Sequence, residues 1–171
     1  MVNLDLLKQF LLKAKTQGYA SSNSKYVELL NGSKEFIFEE PPFRYRDLYY
    51  GFNPFAGLEV VWHDAVVVWV MNYMGGVFQE ATELCPPEKI YDFLKLALKE
   101  PNPVLPLRGP AMFKLNQELN KNEFTYRNSV RGDISAFSGI EKILWTREGS
   151  RPLYHMLYSG LVMDAGGIVV Y

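Results

Sequence analysis

Apolar residues fall at helical spacing in two stretches of the chain. Near the start, Leu4, Leu7, Leu11 and Ala14 form one stripe, with Leu6 and Phe10 beside it. Asn3 stands where an N-cap belongs and Gly18 where such a helix should stop. The second stretch opens with Pro86 and Pro87, sets Ile90, Phe93, Leu94, Ala97 and Leu98 on one face, and ends before Pro101. Each helix has a single apolar face, so each must lie on something, and a sheet is the expected support. Elsewhere, short alternating or solidly apolar runs rich in aromatics, split by Gly, Pro and Asn, predict strands. They fall at 25–30, 35–39, 44–50, 58–62, 65–73, 123–130, 140–146, 153–159 and 168–171. Asn31-Gly32 and His63-Asp64 occupy hairpin-turn positions, and 147–150 reads as a longer loop.

The pattern repeats. Tyr45-Arg46-Asp47, followed by Gly51, Phe55, Gly57, Leu58 and Glu59, recurs as Tyr126-Arg127-Asn128 with Gly132, Phe137, Gly139, Ile140 and Glu141. Further on, the run Trp69 to Gly75 matches Tyr154 to Gly160, and Phe10 and Ala14 match Phe93 and Ala97. We read a tandem duplication of a helix followed by antiparallel strands, with halves of about residues 1–80 and 81–171 joined into one domain. The expected class is α+β, the two halves packed about a pseudo-two-fold because neither is large enough to close a core alone. The connection 102–122 differs between halves and should be an idiosyncratic loop or short helix.

Composition changes this picture little. The 171 residues are 48% hydrophobic and 22% charged, with a formal net charge of −1. That is ordinary globular composition, without the basic stripe of a dedicated nucleic-acid binder. No apolar run has the length of a membrane span, and the opening segment carries Asp5 and internal lysines, which makes it a poor signal peptide. The lone Cys85 has no intramolecular partner, so a reducing cytoplasm is the simplest home.

Candidate chemistry centres on the repeated charges. Glu59 and Glu141 hold equivalent places, two residues from Val61 and Ile143, and are expected to point inward. A carboxylate pair near the pseudo-two-fold could hold a cation or share a proton. The plainer and favoured expectation is that each pairs with the Arg of its own half, Arg46 or Arg127. Arg46 has the fork geometry for a carboxylate or phosphate, although a surface strand position with its stem over aromatics is the commoner use. Asp47 keeps a charge that Asn128 has lost. Arg108 lies between Pro106 and Pro110, rigidly displayed, and serves equally well to cap an anion or to tie its loop to backbone carbonyls.

Polar and aromatic groups are denser in the first half. Asp47, Tyr49, Trp69, Asn72 and Tyr73 stand where the second has Asn128, Val130, Tyr154, Leu157 and Tyr158. A pocket lined by those five first-half residues and closed by Arg108 is therefore expected, apolar with a few polar tips, as small-molecule sites are. His63 and His155 lack partners at metal-ligand spacing, so no metal site is expected. No nucleophile elbow, Walker loop or dinucleotide fingerprint occurs, so no cofactor is expected either.

The run Tyr45-Arg46-Asp47-x-Tyr49-x-Gly51, then Phe55-x-Gly57-x-Glu59-Val60-Val61-Trp62, Trp69-x-Met71-Asn72-Tyr73, Phe93-Leu94-Lys95-x-Ala97-Leu98 and Arg108-Gly109-Pro110 resembles a family of uncharacterised bacterial proteins. Its members carry a domain of unknown function, alone or behind an Xre-type helix-turn-helix. The resemblance spans nearly the whole chain and transfers no activity; it implies only that some members sense a signal for an attached DNA-binding module. No helix-turn-helix is present here, so direct nucleic-acid binding is not implied. The leading expectation is a cytoplasmic small-molecule-binding or sensing domain. One alternative is an enzyme using Glu59 or Asp47 for acid–base chemistry, with Arg46 or Arg108 holding an anionic substrate. The other is an oligomerisation or partner-binding protein without a pocket, marked by an exposed aromatic patch.

Overall fold

The computed structural model describes residues 2–18, 26–100, 102, 105, 107–115, 124–146 and 149–163. Helix α1 (Leu4–Gln17) begins at Asn3, whose side chain accepts from the amides of Asp5 and Leu6, and stops at Gly18. Strands β1 (Val27–Glu28), β2 (Lys34–Glu40), β3 (Phe43–Gly51), β4 (Phe55–His63) and β5 (Val66–Val77) follow. Then come the one-turn α2 (Gln79–Thr82), α3 (Pro87–Leu98), β6 (Met112–Phe113), β7 (Phe124–Asp133), β8 (Ala136–Trp145) and β9 (Arg151–Val162).

The nine strands of the described residues belong to one antiparallel sheet in the order β1-β2-β3-β4-β5-β9-β8-β7-β6. The long strands β5 and β9 pair at its centre, Trp69 opposite Val162 through Val77 opposite Tyr154. Two hairpin turns use residues with positive φ, Gly32 before β2 and Asp64-Ala65 between β4 and β5. Those conformations favour Gly and Asp and suit the strand twist.

This architecture corrects the α+β expectation of two helix-plus-strand halves. Strand accounts for 52% of the described residues and helix for 21%, so the fold is dominated by its sheet. The flanks also differ: β2 contributes seven residues on one side, while β6 contributes two on the other. The physical reason for the misreading lies in the glycines. Gly57, Gly139 and the Gly75-Gly76 pair look like corners or strand ends, yet all lie inside strands. The rings of Tyr73 and Tyr158 lie across Gly57 and Gly139, filling the space a Cβ would occupy. Strands therefore run through for nine to twelve residues instead of breaking. The expected strand 168–171 lies outside the described residues, and the 25–30 run forms strand only over the two residues of β1 before turning at Leu30.

Both longer helices cover the same face of the sheet. Helix α1 packs on β2 and β3, with Phe10 stacked on Phe43 at 5.0 Å between ring centroids. Helix α3 lies toward β7 and the sheet centre, setting Phe93 on Phe124 and Tyr91 on Tyr154. The covered face carries the core: Tyr45, Val61, Trp69, Met71, Tyr126, Ile143, Tyr154 and Met156 are all buried. The opposite face is open and presents Leu58, Met74, Ile140 and Leu157 to solvent. Among the described residues, no helix is long and apolar enough to cross a membrane.

Candidate functional site

Strand alternation points Tyr45, Asp47 and Tyr49 of β3, Glu59 of β4 and Tyr73 of β5 toward the helices. The β3–β4 register sets Asp47 directly across from Glu59. Helix α1 adds Lys15, which follows Leu7 and Leu11 at intervals of four and so falls on the same buried stripe. These groups, with Tyr26, Phe52, Phe55, Tyr91, Leu94, Leu98 and Arg108, line a cavity of about 320 Å³ between α1, α3 and the sheet. That is the small end of the usual range for small-molecule sites, roughly 300–1,000 Å³. Lys34 and Lys95 also border it.

Two buried acids are closed off by cations. Glu59, 3% exposed, forms an ion pair with Lys15. Glu141, fully buried, takes two bonds from Arg108, Nη2 to Oε2 at 2.8 Å and Nε to Oε1 at 3.2 Å. The hydroxyls of Tyr126 and Tyr154 also donate to Glu141, at 2.6 and 3.1 Å. Burial alone works against the Arg108 charge, but Glu141 and its tyrosines outweigh it and hold the guanidinium well above its ordinary pKa. Lys15 goes the other way: burial pushes its ammonium below the ordinary lysine value despite Glu59.

Asp47 differs from both. It is 6% exposed, and its carboxylate accepts from two neutral phenols, Tyr73 on Oδ1 at 2.6 Å and Tyr26 on Oδ2 at 2.8 Å. Among the described residues no cation lies within ion-pair distance of it. Burial first, then the charge of Glu59 opposite, push its pKa up to about 6, against the bonds from Tyr73 and Tyr26 and the more distant Lys15. Tyr73 and Tyr26 are themselves held far above the ordinary phenol value, by burial and by Asp47, so they remain donors. In the other wing, Asn128 stands opposite Glu141 just as Asp47 stands opposite Glu59. Its side chain is bonded at both ends within the fold, accepting from Tyr158 at 2.8 Å and donating to the Gly109 carbonyl at 3.1 Å.

Of the residues singled out from the sequence, Asp47, Tyr49, Glu59, Tyr73 and Arg108 come together at this cavity. Three do not. Trp69 shares the covered face but not the cavity wall, fully buried and stacked on Phe137, with the Lys15 ammonium 5.7 Å from its ring centre. Asn72 projects from the open face and accepts from Ser159 at 2.7 Å. It borders a broad trough of about 450 Å³ among Met74, Ser138, Ile140 and Leu157 that contains no buried charge. Arg46 alternates to the open face and pairs with Glu35 of β2 at 2.5 Å. The expected partners of the glutamates were wrong for the same reason: Arg46 and Arg127 neighbour inward residues in sequence and so face outward. Lys15 and Tyr26 escaped the sequence reading. The four-residue spacing from Leu7 and Leu11 was the available signal for Lys15; none marked Tyr26. Cys85 is buried before α3, and burial raises its thiol pKa, which makes it a poor nucleophile. Among the described residues, no group of three or more His, Cys, Asp or Glu side chains is placed to hold a metal ion.

No curated protein and no solved structure matches the chain. Residues 47–163, which begin at Asp47 and run through both glutamates, Tyr73 and Arg108, match a family described as a domain of unknown function, DUF5680, and the chain belongs to that family.

Proposed function

We propose that the chain binds a small organic molecule in the cavity between α1, α3 and the sheet. The observation that carries this reading is Asp47, a carboxyl nine-tenths buried that lines the cavity without a counter-cation among the described residues. An ionised acid held this way is a cost the fold does not need, since Asn128 fills the equivalent place with a neutral amide bonded at both its oxygen and its nitrogen. Strained electrostatics of this kind gather at functional sites. The surrounding rings of Tyr26, Tyr49, Phe52, Phe55, Tyr73 and Tyr91 supply the apolar walls. The role that fits is that of a sensing element in the bacterial cytoplasm, in line with the resemblance to domains found behind Xre-type helix-turn-helix modules.

A thermal-shift screen of apolar, cationic and anionic metabolites tests the reading. A ligand present at a hundred times its Kd stabilises by about 2.7 kcal/mol, an ample signal. Silence across the whole panel overturns it.

A second reading, acid–base catalysis, is favoured by one feature: Asp47 titrates near neutrality directly across from Glu59. Under that reading a compound from the screen is consumed by the wild type and left intact by Asp47→Asn. Under the first it is recovered unchanged from both.

A further inference from the structure

We infer that Asp47 is the seat of a ligand's ammonium group, so that the cavity takes a primary amine with an aromatic or aliphatic body; this rests on the binding reading above. Three features carry it. The first is the pairing of charges. Lys15 is committed to Glu59, and Arg108 to Glu141. The remaining acid of the cluster faces the cavity with neutral phenols on its two oxygens. Each oxygen has two lone pairs, and one bond to each leaves room for further N–H donors.

The second feature is the sign of what is missing. With Lys15 and Arg108 charged and Glu59, Glu141 and Asp47 ionised, the cluster carries one excess negative charge. A proton on Asp47 removes it, and so does an ammonium beside Asp47. The ammonium adds three donors and a charge-assisted bond. An anionic ligand placed here would deepen the imbalance. Lys34 and Lys95 also line the cavity and are both more open to solvent than Asp47.

The third feature is the wall. Tyr26 and Tyr49 meet edge-to-face at 5.4 Å, and Phe55 lies 6.0 Å from Tyr73 and 6.2 Å from Tyr91. Such rings accept a cation at their faces and an apolar body between them.

The charges facing Asp47 set the pH behaviour. They are Glu59 from β4, Lys15 from α1, and the phenols of Tyr26 and of Tyr73 from β5. As the carboxyl takes up its proton near pH 6, it loses the charge that holds the amine. Affinity should therefore fall about tenfold between pH 7.5 and pH 5.

The test is calorimetric titration of the full chain with phenethylamine, tyramine, tryptamine, cyclohexylamine and butylamine. The alcohol and the carboxylate of matching skeleton serve as controls. At least one amine should bind, tighter than its alcohol and its carboxylate by tenfold or more, with the stated loss at pH 5. Asp47→Asn should weaken that amine at least tenfold, and Asn72→Ala, on the open face, should leave it unchanged. If Asp47→Asn does not fold, the pH profile and the amine-to-alcohol ratio of the wild type still decide. Tighter binding of carboxylates or alcohols overturns the amine assignment while leaving the binding reading intact. Failure of amines, alcohols and carboxylates alike, together with a silent metabolite screen, removes both.

Discussion

Asp47 and Glu59 face each other across the β3–β4 ladder, point the same way and are nearly equally buried, yet among the described residues only Glu59 pairs with a cation. Lys15 reaches from α1 to Glu59, and the tyrosines that reach Asp47 bring hydrogen bonds without charge. One strand pair thus contains a satisfied acid beside one that is held toward its protonated form.

The linkage follows from that difference. Burial and Glu59 raise the Asp47 pKa from an ordinary 3.8 to about 6. A group whose folded pKa is raised contributes stability that is present below the unfolded value and lost as pH rises through the folded one. From about pH 4 to pH 7 this carboxyl should therefore cost the wild type about 2 kcal/mol. Urea unfolding of wild type and Asp47→Asn at both pH values measures it. The stability difference should move toward the variant by that amount, and a pH-independent difference contradicts the assignment.

Tyr73→Phe removes a hydrogen bond that favours the ionised form of Asp47. The Asp47 carboxyl should then titrate above pH 6, as followed by carbon-13 NMR of the side-chain carboxyl. A shift downward would mean that the Tyr73 hydroxyl does not donate to it.

Lys15→Met strands Glu59 in the core. Breaking one side of a buried pair typically costs about 3–5 kcal/mol, whereas replacing both by apolar groups is far milder. Chemical denaturation should show a large loss for Lys15→Met and recovery of most of it in Lys15→Met/Glu59→Leu. Additive losses would contradict a direct pair.

Gly57 gives the Tyr73 ring its place across β4. An added methyl would overlap both the ring and the Tyr49 Cβ. Gly57→Ala should cost about 1–3 kcal/mol, as overpacking does, and weaken ligand binding by moving the Tyr73 hydroxyl off Asp47. Full stability in this variant would show that the ring has room elsewhere.

The helices were legible because caps and stripes are local: Asn3 with Leu7, Leu11 and Ala14, and Pro87 with Ile90, Phe93 and Leu94. Strand positions were legible from alternation, but the meeting of Asp47 and Glu59 depends on the β3–β4 register. The single sheet was not. Whether a glycine breaks a strand or accepts a ring depends on a residue of the neighbouring strand, as Tyr73 does for Gly57 and Tyr158 for Gly139. Nor was the partner of each acid, because Lys15 and Arg108 approach from a helix and a loop far away in sequence. Asn72 shows the same limit, since a polar side chain in a mixed strand declares its face only once the register is known.

The most direct measurement of the central claim is methyl NMR of the wild-type chain titrated with the strongest binder from the thermal-shift screen. Leu94, Leu98, Leu107 and Met156 line the cavity, while Leu58, Met74, Ile140 and Leu157 mark the open face. The first group should shift in saturable fashion while the second stays still. Shifts confined to Leu58, Met74, Ile140 and Leu157 would contradict the placement of the site beneath α1 and α3.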